Sequence, residues 1–323
     1  YLNSFHNVMA LCMLIALTSF FLSGQFSENM IRRAEAKVGV YFSIFIVMAI
    51  FVYNGMFQRH IVYVNFHLYA ACLILFPLLI FQNSNRALNI QSTLTITLLL
   101  SALAMVRIEG VLFALIVIWQ IYTHSKKGRG MNLLLISSCM LMGCYMFFLQ
   151  QYSTQDSFVS STLLGVLVSI SFGFAPITII ASSFLEKKML LMIILAGSTL
   201  TIIAMLVMKP NHMLGNIIMM AANMNPVFWG FLGILVAFIG IFYARDILAM
   251  KDDYEITVFG QFFILALLMT LMLTFFRSPL RLGMNDSINR IMIQIIPAFL
   301  PVCVFYLSQN KAIHSISRRI FGS

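Results

Sequence analysis

The chain has 323 residues, of which 61% are apolar and 9% charged, with a net charge of +10. A soluble domain has no use for that much apolar surface, so the composition points to a bilayer as solvent. The twenty Lys and Arg residues fall into short gaps between apolar runs rather than onto one long basic face, which argues against nucleic acid as a partner.

Eleven apolar segments follow one another, at residues 5–23, 40–57, 61–81, 93–106, 111–122, 132–149, 159–182, 189–208, 213–243, 256–276 and 291–307. They predict an all-α, polytopic integral membrane protein with about eleven membrane segments, forming a single transmembrane helical domain over residues 1–323. Most are close to the ~20 residues that span a hydrocarbon core. The polar tetrad Arg107-Ile108-Glu109-Gly110 separates two segments too short to span untilted, which predicts a tight helical hairpin. The segment 213–243 is too long for one span, and Asn225-Pro226 predicts its break. Between the first two segments, residues 28–37 mix Glu28 and Glu35 with Arg32, Arg33 and Lys37, the pattern of an interfacial helix. The five cysteines lie inside apolar runs and read as packing residues.

Basic residues set the expected orientation. With the start outside, cytoplasmic gaps hold fourteen of them: Arg32, Arg33, Lys37, Arg86, Lys126, Lys127, Arg129, Lys187, Lys188, Arg245, Lys251, Lys311, Arg318 and Arg319. Outer gaps hold six: Arg59, Arg107, Lys209, Arg277, Arg281 and Arg290. The bias predicts a cytoplasmic C-terminus.

Three polar features break the apolar pattern on the expected outer side. The loop 277–290 carries Arg277, Arg281 and Arg290 against a lone Asp286, an excess that suits an anion, since the planar guanidinium fork donates two hydrogen bonds to phosphate. Snorkelling to outer-leaflet headgroups is the alternative role. Arg107 and Glu109 read either as an ion pair stabilising the hairpin or as a phosphate ligand beside a base. Arg59, His60, Asn65 and His67 place polar groups near the same interface, with the two histidines seven residues apart and so on one helical face. No third ligand completes a zinc-type set, so no metal site is expected.

The run Leu103-Ala104-Met105-Val106-Arg107-Ile108-Glu109-Gly110-Val111-Leu112 resembles the Arg-x-Glu-Gly turn of membrane glycosyltransferases of the GT-C superfamily. Asn285-Asp286-Ser287-Ile288-Asn289-Arg290, leading into Pro297, is similar to a late Asp-Ser-x-x-Arg segment of the same proteins. At Tyr63-Val64-Asn65 the family often has an acidic residue where this chain has Asn65.

The resemblance implies a GT-C-like helical bundle in a bacterial inner (cytoplasmic) membrane. It implies transfer of a sugar from a polyprenyl-phosphate donor to an acceptor glycan, lipid or protein on the outer, periplasmic face. Arg107, Arg281 and Arg290 are then the donor-phosphate ligands, and Arg59, Asn65, Arg277 and Asp286 line the site. The family's catalytic Asp sits in a first outer loop that would precede Tyr1, so no base is assigned here. His60, His67 and Glu109 are the candidates. The lipid-linked sugar phosphate is the donor substrate, the resemblance leaves the need for a divalent metal open, and membrane lipids are the surrounding partners. A transporter or flippase for a lipid or organic anion, and a non-catalytic membrane subunit, are the competing readings.

Overall fold

A computed structural model describes residues 2–22, 37–62, 66–84, 87–106, 108–125, 187–224, 226–242, 244, 246, 257–275, 280–283 and 287–321. Every regular element among them is helical: α1 (Leu2–Leu22), α2 (Lys37–Val52), α3 (Gly55–Val62), α4 (His67–Asn83), α5 (Ile90–Val106), α6 (Ile108–His124), α7 (Lys187–Met208), α8 (Pro210–Asn223), α9 (Pro226–Phe242), α10 (Thr257–Thr274), α11 (Ser287–Ile295), a 3₁₀ turn (Ile296–Phe299), α12 (Leu300–Ser308) and α13 (Lys311–Phe321). The apolar segments expected at 132–149 and 159–182 and the interfacial helix expected at 28–36 lie outside the described residues.

Among the described residues three helices are long and apolar enough to cross a membrane: Leu191–Met208, Thr257–Thr274 and the run Ile288–Ser308. The pair α8 and α9, bent by 98°, makes a fourth if it counts as one span. Five shorter apolar helices, Asn7–Leu22, Val38–Val52, His67–Asn83, Ile90–Val106 and Glu109–His124, accompany them. A helix of 17 residues such as α5 is about 25 Å long, short of the ~30 Å hydrocarbon layer. The described residues thus form an all-α architecture compatible with a membrane protein.

The chain divides into two compact units, one of residues 1–75 and 206–323 and one of residues 76–205. In the first, α2 packs on α9, α12 and α13, and α10 packs on α8, α11, α12 and the 3₁₀ turn. The run from α11 to α12 is its core: every residue from Ile291 to Phe305 is buried. Pro297 and Pro301 each lack the N–H that an α-helix would use, so the middle of this run tightens into the 3₁₀ turn. Phe263 of α10 stacks on Phe299 of that turn at 4.3 Å. Phe20 of α1 meets Phe259 of α10 edge-on at 5.4 Å, and the Cys72 thiol of α4 donates to the Met9 carbonyl of α1 at 3.5 Å.

In the second unit α5 and α6 pack together as a hairpin with one residue, Arg107, between them. A methyl group at Gly110 would fall on the backbone carbonyl of Leu103. Glycine therefore permits the close approach of the two helices. Both helices are longer than the sequence spacing suggested, because Ile90–Ser92 at one end and Ile108–Gly110 at the other continue the helical turns. α7 exposes Met192, Ile193, Leu200, Ile203, Val207 and Met208, an apolar face that suits lipid and not water.

Candidate functional site: a polar latch beneath Arg281 and Arg290

The apolar segment expected at 40–57 is interrupted at Asn54. Its side-chain oxygen accepts from the Met56 and Phe57 N–H groups at 3.0 and 3.2 Å, capping α3. Its amide nitrogen donates to the Trp229 carbonyl of α9 at 2.6 Å. α3 then carries Arg59, which is half-buried, and His60. His67 opens a different helix, α4, and is 1% exposed. The expectation that His60 and His67 share one helical face is thus corrected. Asn54 starts a short helix that ends at Val62, before His67 begins the next.

His67 meets α11 directly. The Gln294 side-chain N–H donates to His67 Nδ1 at 3.0 Å and to the Arg290 carbonyl at 3.1 Å. The Oε1 of Gln294 is buried with no hydrogen-bond partner among the described residues.

Arg290 stands one turn below Gln294, at the fourth position of α11 rather than just before the helix. Ser287–Asn289 extend the helix upstream of the apolar run and supply its first turn. The Arg290 side chain is half-buried, and its Nε is fully buried without a hydrogen-bond partner among the described residues. A cation in the first turn opposes the helix dipole. The unsatisfied guanidinium nitrogen and the positive helix end both favour an anion at this position.

The loop before α11 is held from below by two buried asparagines. Asn223, the last residue of α8, donates to the Arg281 carbonyl at 2.9 Å and to Met219 at 2.9 Å. Its Oδ1 accepts from Gly283 N at 3.0 Å and from Asn289 Nδ2 at 3.0 Å. Asn289 Nδ2 also donates to the Gly283 carbonyl at 2.8 Å, and Asn289 Oδ1 accepts from Trp229 Nε1 at 2.7 Å. Gly283 has φ +150°, a conformation that other residues rarely take. Two helical turns earlier on α8, Asn216 Oδ1 accepts from Leu280 N at 2.9 Å, and its amide donates to the Thr274 carbonyl at 3.1 Å. Backbone 280–283 is thereby fixed against α8 while the Arg281 side chain stays exposed.

Arg59, His67, Arg281 and Arg290 all belong to the unit of residues 1–75 and 206–323; Glu109 belongs to the other unit. Glu109 is 4% exposed in the first turn of α6, where a negative charge suits the helix dipole. Arg107, Asn65, Arg277 and Asp286 lie outside the described residues. Among the described residues no group of three His, Cys, Asp or Glu side chains is placed to hold a metal ion.

The fold defines an α-helical membrane protein carrying a cationic loop on a buried amide latch. Comparison of the chain with protein-family models, with curated proteins and with solved structures finds no match.

Proposed function

We propose that the chain is a membrane glycosyltransferase taking its sugar from a polyprenyl-phosphate donor on the outer face, with Arg290 as the donor-phosphate ligand. One observation carries this reading: the buried, unpartnered Nε of Arg290 in the first turn of α11. An isolated guanidinium nitrogen in that place is costly unless an anion completes it. The resemblance of the Asp286–Arg290 and Arg107–Gly110 segments to the GT-C superfamily supplies the class of anion.

In the transfer, an acceptor hydroxyl oxygen attacks the anomeric carbon and the bond from that carbon to the phosphate oxygen breaks. The electron pair leaves on polyprenyl phosphate, and the hydroxyl proton goes to a base. Arg290, with Arg281, stabilises the charge that develops on the leaving phosphate. His60 and His67 have the chemistry of the base. Arg59, Asn65, Arg277 and Asp286 line the approach. The orientation that places these groups outside rests on the fourteen-to-six bias of basic residues.

Transfer from a polyprenyl-phosphate sugar, measured in membranes and normalised to folded protein, tests the reading. Arg290→Ala is expected to lose on the order of 2–4 kcal/mol of transition-state stabilisation, a fall of about 30- to 1,000-fold. Arg290→Lys restores only part, because a point charge lacks the fork. Full activity in Arg290→Ala overturns the assignment.

The 98° bend between α8 and α9 favours a second reading, a transporter of a lipid or organic anion, since broken helices build such sites. Proteoliposomes separate the two. A transporter moves labelled anion across the bilayer with no new glycoside formed.

A further inference from the structure

α13 begins after a two-residue gap from α12, the end of the buried span Ile288–Ser308, so its first residue lies within ~10 Å of the end of that span. Asn310 fixes the turn: its Oδ1 accepts from Ala312 N at 2.9 Å, and its own N–H donates to the Leu307 carbonyl at 3.0 Å. One side of α13 packs on α2 and α12, with Ser317 fully buried. Beside that packed side run Ile316 and Ile320, one turn apart and 44% and 59% exposed. Lys311 and Arg319 are exposed as well. The eleven residues include Lys311, Arg318 and Arg319 and no Asp or Glu.

Each feature narrows what covers the open side. Two exposed isoleucines require an apolar neighbour, and the adjacent cations require an anionic one. A helix tethered two residues from a span has one surface within reach that offers both, the boundary between acyl chains and headgroups. We infer that α13 lies in the interfacial layer of the leaflet at the C-terminal end of the chain, with Ile316 and Ile320 in the acyl boundary and its basic residues on anionic phospholipid headgroups. The helix would then bind lipid by a site separate from Arg290, and would fix how deeply α2 and α12 sit.

The test uses the full chain in nanodiscs of phosphatidylcholine, with or without phosphatidylglycerol. A fluorescent amino acid placed at position 316 or 320 is expected to be quenched by lipids carrying a headgroup-level nitroxide. The same probe at position 315 is expected to be quenched by aqueous iodide. K311Q/R318Q/R319Q is expected to retain several-fold less phosphatidylglycerol through purification, read by mass spectrometry. If that variant does not fold, R319Q alone is read, with a smaller loss expected. Iodide quenching at 316 and 320 equal to that at 315 overturns the inference. So does unchanged lipid retention in the folded variant. Shielding of 316 and 320 from both quenchers marks a protein partner on the strip and overturns it equally.

Discussion

Asn223 makes four hydrogen bonds from a position with no exposed surface, two as donor and two as acceptor. Asn223→Ala leaves Gly283 N–H without its acceptor and the Arg281 carbonyl without its donor. Buried groups left unpaired cost about 1–3 kcal/mol each, so a loss of about 2–4 kcal/mol is expected. It would be read as a fall of several degrees in the melting temperature of the purified protein. If the loop matters for anion binding, KM for the donor should rise in this variant while protein that remains folded keeps its α-helical spectrum. Trp229→Phe removes one donor to Asn289 and is expected to cost about 1–2 kcal/mol by the same measurement. A drop no larger than that of a neighbouring lipid-facing substitution such as Phe231→Leu would argue against the latch. At this scale the sequence showed the cations but not what orders them. Arg281 and Arg290 stand out by charge. Asn54, Asn216, Asn223 and Asn289 are dispersed over 235 positions, and only the folded chain brings three of them to one loop. Their signal is that an amide inside an apolar run must find a partner, which names the residues without naming the pairs.

Among the elements, the α5–α6 hairpin is the one most directly written in the sequence, because a charged turn between two apolar runs allows little else. Its length was not legible: helical turns continue through Ile108-Glu109-Gly110 because Glu109 is buried in the first turn of α6. Gly110→Ala is expected to force the helices apart, since the added methyl meets backbone and not a side chain that can turn away. A cost of about 1–3 kcal/mol is expected, checked by thermal melting together with protease accessibility around Ser125. Unchanged melting would mean that the two helices do not approach closely at this glycine. The break near Asn225-Pro226 was also legible from proline chemistry, and α8 and α9 do part there. The division at Asn54 was not. Tyr53-Asn54-Gly55 sits inside an apolar stretch, and the cap that starts α3 depends on a carbonyl of α9 far away in sequence. α13 does not register as an apolar segment, because its apolar residues are too few, although their spacing is helical.

For the whole molecule, composition alone established a helical membrane protein, but apolar runs do not say which helices cross by themselves; among the described residues three are long enough. The reason is physical: a buried core helix and a lipid-facing helix have the same composition, and differ only in what surrounds them. The run Ile288–Ser308 is wrapped by protein, whereas Leu191–Met208 is not. The expected orientation is checked by cysteine labelling from each side of the membrane. Ser125→Cys should react only from the cytoplasmic side and Lys209→Cys only from the outside, and the reverse pattern would invert the topology. The latch, finally, bears on how such a chain is made. The Asn54 amide waits for a carbonyl 175 residues downstream, which at ordinary rates of synthesis is roughly 9–35 s of translation. Trp229 in turn waits for Asn289, 60 residues later. Every nascent chain therefore passes through a stage in which these polar groups sit among apolar helices with their eventual partners not yet synthesised. Completion of α11 is the event that closes the set, and until then the amides stay in the care of water, lipid headgroups or the insertion machinery.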